Sequence, residues 1–251
     1  MTFEPFIIKT VFMNHTKRKL LITNCRLITP FAEIERGEVL IEGGKIPGLG
    51  PAGTCRDYDA CLDAGGRIVA PGFIELHIQG AGGCDVLDGS LEALKAISRS
   101  CARFGVTGFL ATTVFRPEGN NRHLEIAAEC STNEQEGAEL LGIHLEGPFI
   151  SPEKRGMIQK DCINRPDRKV LETILSLTGG CLRMMTVAPE LGESGAIIRA
   201  LTERGIVASF GHSMADYEQT KEGFAAGINH VTHLFNAMLP IHHRSPGPLP
   251  A

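Results

Sequence analysis

The sequence predicts an α/β protein, a (β/α)8 barrel that follows a small β unit, and three observations support this fold class. The 251 residues are 43% hydrophobic and 22% charged, which suits a soluble globular protein with a substantial core. Helical segments alternate with short apolar runs, and a glycine separates each helix from the run that follows. Polar residues end several of those apolar runs, which is where the active site of such a barrel lies.

The first part of the chain predicts strands. Residues 20–69 contain short apolar stretches broken by Gly-Gly and Pro-Gly turns, within LLITNCRLI, GEVLIEGGKI and GGRIVAPGF. We therefore expect a small β domain over 20–69, part of a β-sandwich, followed by the barrel over 70–251. In residues 1–19 the basic cluster follows a short apolar run, the reverse of a signal peptide, so a disordered lead-in is expected there.

The repeating unit of the barrel is clearest between Ser90 and Gly105. A serine suited to the N-cap precedes this segment and a glycine ends it, and the apolar run 106–114 follows at once. One helical face carries the apolar residues Leu91, Leu94, Ile97, Cys101 and Phe104. The same order recurs in AIIRALTERG followed by IVASFGH, and in a helix that opens with the capping-box pattern Ser213 to Asp216.

Such repeats fit either a barrel or a doubly wound sheet, and the polar strand ends favour the barrel. A doubly wound sheet has one crevice, whereas a barrel gathers residues from the ends of many strands. No G-x-G-x-x-G or P-loop motif supports a nucleotide-binding sheet. The polar residues at strand ends are Glu75, His77, Gln79, His144, Glu146, Glu190, His212 and His233.

Three of these residues predict a metal site. Glu146 ends an apolar run immediately before Gly147-Pro148, where a charge needs a partner. His212 and His233 end two later strands and can supply neutral imidazoles. One carboxylate and two imidazoles leave a coordination position open, as in catalytic metal sites. We expect one divalent ion, Zn²⁺ first, with Fe²⁺, Co²⁺ or Mn²⁺ as alternatives. His144 is expected to contact the metal, orient a water or pack.

Composition excludes some partners. A net charge of −4 and a pI near 6.1 give no general attraction to nucleic acid or an anionic membrane, so an anionic ligand needs a local basic cluster. The eight cysteines show no C-x-x-C spacing, and we expect them to be reduced in a cytoplasmic protein. No stretch reaches the roughly 18 apolar residues of a membrane span.

Four motifs together carry a family resemblance. They are H-L-E-G-P-F at 144–149, V-A-P-E at 187–190, G-H-S at 211–213, and T-H-L-F-N-A-M with H-H-R-x-P-G over 232–247. This set resembles the N-acetylglucosamine-6-phosphate deacetylases of the amidohydrolase superfamily, from about Leu20 to the last residue. The resemblance implies a TIM-type barrel and hydrolysis of the N-acetyl amide of N-acetylglucosamine 6-phosphate to glucosamine 6-phosphate and acetate.

The resemblance also implies roles for individual residues. Glu146, His212 and His233 fall on the metal ligands of the family. Asn236 and the backbone of Ala237 fall where the sugar phosphate binds. Arg244 falls on the arginine that holds the phosphate across a homodimer interface, a suitable partner because a guanidinium matches phosphate geometry.

The chain departs from the family pattern in three places. His77 and Gln79 stand where many amidohydrolases bind a second metal through two histidines. One imidazole and one amide would make a weak second-metal site, so we expect a single metal, with these two residues either at that weak site or as neighbours of the metal. Met157 and Ile158 stand where the family has Ala-His, whose histidine contacts the substrate. We expect both residues at the substrate site, and the isoleucine leaves the exact sugar open. The catalytic aspartate of the family is expected downstream of Ala251, so the barrel is expected to be truncated, without its last strands, and inactive alone.

Two alternatives follow from these departures. One is an amidohydrolase that acts on another N-acyl sugar or a cyclic amide, which the isoleucine at position 158 supports. The other is a non-catalytic sugar-phosphate-binding protein, which the missing aspartate supports.

Overall fold

The structure, a computed structural model, describes residues 18–132 and 136–251. The chain divides after Phe73 into two compact units. Most of the lead-in expected over 1–19 lies outside the described residues, but Lys19 already belongs to the first strand. Among the described residues, no helix is long and apolar enough to cross a membrane.

The first unit is a single five-stranded mixed sheet. Its spatial order is β3-β2-β1-β4, and β5 also pairs with β1. Gly43 and Gly44, both with positive φ, form the turn between β2 and β3. Of the two layers that a sandwich requires, the described residues of this unit form one. The strands are β1 (Lys19–Ile28), β2 (Glu33–Glu42), β3 (Lys45–Pro51), β4 (Ala60–Asp63) and β5 (Ile68–Val69).

The second unit contains a six-stranded sheet in the order β6-β9-β10-β11-β12-β13. The neighbouring strands from β9 to β13 are parallel. A short hairpin of β7 (Gly80–Ala81) and β8 (Cys84–Asp85) stands apart from this sheet. The six strands are β6 (Phe73–Ile78), β9 (Val106–Thr113), β10 (Glu139–Glu146), β11 (Leu182–Val187), β12 (Val207–Phe210) and β13 (His230–Val231).

Each pair of successive strands in this sheet is connected through one α-helix. Because the spatial order follows the chain order without a reversal, the crossovers all proceed in one direction, as in a barrel, and no switch point arises. The predicted barrel-type fold is confirmed as a half-barrel. The helices are α1 (Leu91–Arg103), α2 (Arg122–Ser131), α3 (Arg168–Leu177), α4 (Ser194–Thr202) and α5 (Tyr217–Ala226).

Helix α1 begins where the sequence predicts, since the hydroxyl of Ser90 accepts a hydrogen bond from the Ala93 amide. The capping box predicted at Ser213 is wrong. Helix α5 starts four residues later, with Asp216 as N-cap and Gln219 closing a reciprocal capping box. The hydroxyl of Ser213 donates to the carboxylate of Glu190 and accepts from the Ala215 amide, and the helix itself begins only after the Asp216 cap.

The core of the second unit fixes the strands that carry polar ends. Phe109 and Leu145 from the sheet and Ile97 and Leu124 from the helices are fully buried in one apolar cluster. Successive strand residues point to opposite faces, so burying Leu145 directs its neighbour Glu146 to the other face of β10. Packing of the apolar face of β10 in the core therefore determines that the side chain of Glu146 points to the opposite face of the sheet.

Candidate metal centre

Three strand ends bring Glu146, His212 and His233 together. Glu146 is the last residue of β10, and each histidine comes two residues after its strand, β12 or β13. Glu146 and His212 are only 3% and 5% exposed. Both histidines have positive φ, 50° at His212 and 34° at His233, a backbone state that costs a non-glycine residue about 1 kcal/mol or more. Surrounding hydrogen bonds must therefore hold these two residues in place.

The ligand atoms of the three side chains converge on one point. Glu146 Oε1 lies 3.0 Å from His212 Nε2 and 3.2 Å from His233 Nε2. The two Nε2 atoms are 3.0 Å apart, and one ligand atom from each residue lies within 4.8 Å of the others. Spacing of this kind, with two imidazoles and one carboxylate, suits a small divalent cation.

The other ring nitrogen of each histidine faces a backbone carbonyl. His212 Nδ1 is 2.7 Å from Lys154 O, and His233 Nδ1 is 3.1 Å from Asn236 O. A carbonyl oxygen only accepts, so each Nδ1–H donates and each Nε2 is left to offer its lone pair to the cluster. This is the usual outer support of a metal-bound histidine.

The electrostatics of the cluster call for a positive charge at its centre. Burial by itself raises the pKa of Glu146. With no ion at the centre, protons on Nε2 of His212 or His233 would be donated to this carboxylate, and these hydrogen bonds outweigh burial and hold the pKa of Glu146 far below its usual range. The pKa of His233 is raised, first by its hydrogen bond with Glu146. Two Nε2 atoms 3.0 Å apart cannot both carry a proton between them. A single central cation satisfies all three ligands at once.

Gln79 and His77 border the cluster on the side of β6. Gln79 Nε2 donates to Glu146 Oε2 at 2.8 Å, which leaves Oε1 facing the histidines. His77 Nε2 is 3.5 Å from Glu146 Oε1, and His77 Nδ1 is buried without a hydrogen-bond partner among the described residues. Gln79 thus orients the carboxylate, and the expected role of His77 as a neighbour of the metal stays a prediction.

His144 packs beneath this cluster and has no free nitrogen. Its Nδ1 is 2.9 Å from Leu76 O, and its Nε2 is 2.9 Å from Thr186 Oγ1. Nδ1 must donate to the carbonyl, so Thr186 donates to Nε2 and in turn accepts from Thr232, 2.9 Å away. Ser209 extends this buried chain of hydroxyls by a 2.6 Å hydrogen bond to Thr232. Of the three roles open to His144, the geometry therefore favours packing.

The loop after β13 holds the predicted substrate contacts. Asn236 is exposed, Ala237 is partly buried, and Phe235 and Ala237 both have positive φ. The Ala237 carbonyl accepts from the Ser213 amide at 3.0 Å, which connects this loop to the one that carries His212. Arg244 is exposed in the segment that follows. Binding roles for these residues stay predictions.

Met157 and Ile158 differ sharply in their surroundings. Met157 is 91% exposed, whereas Ile158 is 7% exposed and packs in a small apolar cluster with Ile150 and Cys162. The side chain of Ile158 is therefore committed to packing, because an apolar group placed there gains by leaving water. Met157 is thus exposed and Ile158 is buried, and substrate contacts of this pair stay predictions.

Sequence reasoning missed the function of Glu190. Its carboxylate accepts from Ser213 Oγ and from the Met214 amide, both at 2.6 Å, and so connects the end of β11 to the residues after His212. The available signal was an acidic residue immediately after a buried strand, in V-A-P-E. Nothing local in the sequence identified the partner, which is 23 residues away.

Comparison with known proteins agrees with this geometry. The model of the amidohydrolase family matches residues 68–245. The chain is 38% identical to a protein of Bacillus subtilis over 91% of this chain and 59% of that protein, and 38% identical to a human protein over 92% and 58%. Both relatives are named N-acetylglucosamine-6-phosphate deacetylase. The chain thus spans less than two thirds of the length of these relatives.

Solved structures show the same likeness. An aspartate-to-alanine mutant of N-acetyl-D-glucosamine-6-phosphate deacetylase from Mycobacterium smegmatis, in complex with N-acetyl-D-glucosamine-6-phosphate, has a TM-score of 0.84 at 30% identity. That match covers 92% of this chain and 59% of the mycobacterial one. The N-acetylglucosamine-6-phosphate deacetylase of Pasteurella multocida has a TM-score of 0.83 at 27% identity, and the match covers 92% of this chain and 61% of that one. Sequence, fold and site geometry agree, and the chain belongs to the amidohydrolase family.

Proposed function

We propose that the protein, at the full length of its relatives, hydrolyses the N-acetyl amide of N-acetylglucosamine 6-phosphate to glucosamine 6-phosphate and acetate in amino-sugar catabolism. The observation that carries this proposal is the convergence of Glu146 Oε1, His212 Nε2 and His233 Nε2 on one point. The names of the bacterial and mammalian relatives support the choice of substrate.

The three converging residues would hold one divalent metal ion, with Zn²⁺ as our first choice. The donor set fits the ion, because two imidazoles and one carboxylate leave a coordination position open. Such an ion polarises an amide carbonyl and lowers the pKa of a bound water toward neutrality. Lys154 O and Asn236 O contribute by holding each Nδ1–H, so that both Nε2 atoms stay available.

The sugar phosphate would be held on the loop after β13. Asn236 and the Ala237 backbone lie in the same tight loop as His233, next to the proposed metal. In a homodimer, the guanidinium of Arg244 would make two hydrogen bonds to the phosphate of the substrate that is bound in the neighbouring subunit. Exposure of this side chain in the single chain supports that role.

Proton transfer requires a further group. The amine leaves only if it is protonated, and Glu146, the acid at the centre of the cluster, is held ionised by its partners. We assign this transfer to a separate acid–base group other than the three proposed metal ligands. The eight free cysteines support a reducing, cytoplasmic setting.

Acetate release tests this proposal directly. The chain extended to the length of its relatives should release acetate from N-acetylglucosamine 6-phosphate, lose that activity on chelation, and regain it when Zn²⁺ is restored. The 251-residue chain should bind the metal and release little acetate. Faster turnover of an unphosphorylated N-acyl sugar by the extended chain would contradict the assignment of substrate.

A further inference from the structure

We infer that Glu190 is a positioning residue that holds His212 in its ligating conformation through two hydrogen bonds to the residues that follow it. This inference rests on the proposed function only in taking His212 as a metal ligand. Glu190 lies three residues after β11, and it contacts neither Glu146 nor His233 in the described hydrogen bonds.

His212 needs such support because its φ of 50° is unfavourable for a residue with a Cβ. A strained backbone of this kind persists only where neighbouring groups determine it. On its N-terminal side the strand β12 ends at Phe210, so the ladder of that sheet stops before His212. The restraints on His212 must therefore come from the loops around it.

Hydrogen bonds from three neighbouring loops supply those restraints. The Ser151 amide donates to His212 O at 2.8 Å, and the Ser213 amide donates to Ala237 O at 3.0 Å. Glu190 is the side chain that completes the set, because one carboxylate oxygen accepts from Ser213 Oγ and the other from the Met214 amide. The two residues directly after His212 are thereby fixed to β11.

The geometry of this bridge suits a carboxylate in particular. Both of its oxygens must accept, at 2.6 Å each, and a carboxylate is the side chain with two acceptor oxygens and no donor. Ser213 Oγ accepts in turn from the Ala215 amide at 2.9 Å, so the bridge also orders the residue after Met214. Losing the carboxylate would remove the restraints on Ser213 Oγ and the Met214 amide together, and would leave His212 held by its bonds to Ser151 and Lys154 and by the Ser213 amide.

Metal affinity tests the inference without an activity assay. In the 251-residue chain, Glu190→Ala should weaken Zn²⁺ binding about tenfold to a hundredfold, the usual effect of removing an outer support. Glu190→Gln keeps one acceptor for Met214 and should recover part of that loss. Ser213→Ala keeps the hydrogen bond from the Met214 amide to Glu190, so its Zn²⁺ affinity should lie between those of the unmodified chain and Glu190→Ala. Glu193→Ala is the matched control, since Glu193 is exposed in the same loop and makes no side-chain cap bond to α4.

Hydrogen exchange of the chelated chain separates positioning from general destabilisation. With Glu190→Ala, the Met214 amide should exchange faster, while amides of the buried strand β10 keep their protection. Equal Zn²⁺ affinity of Glu190→Ala and the unmodified chain would overturn the inference, and so would loss of protection spread evenly through β10. An unmodified chain that binds no Zn²⁺ would refute the proposed function and this inference with it.

Discussion

Replacing His144 should alter how the stability of the chain depends on pH. His144 is 1% exposed, with Nδ1 donating to Leu76 O and Nε2 accepting from Thr186. Burial is the main cause that lowers the pKa of His144 to about 4, from 6.5 in the exposed side chain. The fold therefore keeps this imidazole neutral, and protonation of His144 lowers the stability of the folded chain.

The size and sign of the effect follow from these two pKa values. The folded pKa lies below the unfolded one, so the unfolded chain takes up the proton first as the pH falls. Each tenfold difference in proton affinity is worth about 1.4 kcal/mol, which gives roughly 3 kcal/mol for His144. This contribution is present above pH 6.5 and is lost as the pH falls toward 4.

Denaturation of the unmodified chain and of His144→Gln measures that contribution. Glutamine offers one donor and one acceptor and does not titrate, so the variant keeps both hydrogen bonds possible. The chain has no tryptophan, so circular dichroism is the suitable signal, with chelator present throughout. The difference in unfolding free energy between the two proteins should change by about 3 kcal/mol between neutral pH and pH 4. Parallel pH profiles would refute the reasoning.

Three further substitutions test other parts of the structure. Thr186→Val leaves His144 Nε2 buried without a donor and should lower the free energy of unfolding, measured by chemical denaturation, by about 1–3 kcal/mol. Thr173→Val is the control, because its hydroxyl is exposed, and it should lower that free energy by less. Equal losses would contradict the chain of hydroxyls. Ile158→His should cost about 2 kcal/mol by the same assay, because it places a polar ring in an apolar cluster, and unchanged stability would show an accessible position. Arg244→Ala in the full-length enzyme should raise KM for the sugar phosphate about tenfold to a hundredfold at similar kcat, and an unchanged KM would exclude a phosphate contact.

Local sequence signals were sufficient for the half-barrel and for the grouping of Glu146, His212 and His233. The N-cap serine and terminal glycine around α1 are properties of a few neighbouring residues, and they determine where that helix begins and ends. Glu146, His212 and His233 were found because each follows an apolar strand, and parallel strands bring their ends to one edge. Position along the chain thus predicted position in space.

Contacts between distant loops were not accessible in the same way. Ser213 has the local pattern of an N-cap, yet its hydroxyl bridges Glu190 and the Ala215 amide. Helix α5 begins at Tyr217, after the capping box of Asp216 and Gln219. The hydroxyl chain below His144 depends on the register of three neighbouring strands, which single-strand patterns do not specify. Tertiary hydrogen bonds decided the hydroxyl chain, whereas the start of α5 follows a second local signal, the capping box of Asp216 and Gln219.

The position of a bound metal tests the central claim most directly. Crystals of the 251-residue chain grown with Zn²⁺ and measured at the zinc absorption edge should show one anomalous peak per chain. We predict that this peak lies about 2.0–2.2 Å from Glu146 Oε1, His212 Nε2 and His233 Nε2. A peak elsewhere, or no peak in crystals grown with Zn²⁺ in molar excess over the protein, would contradict the account.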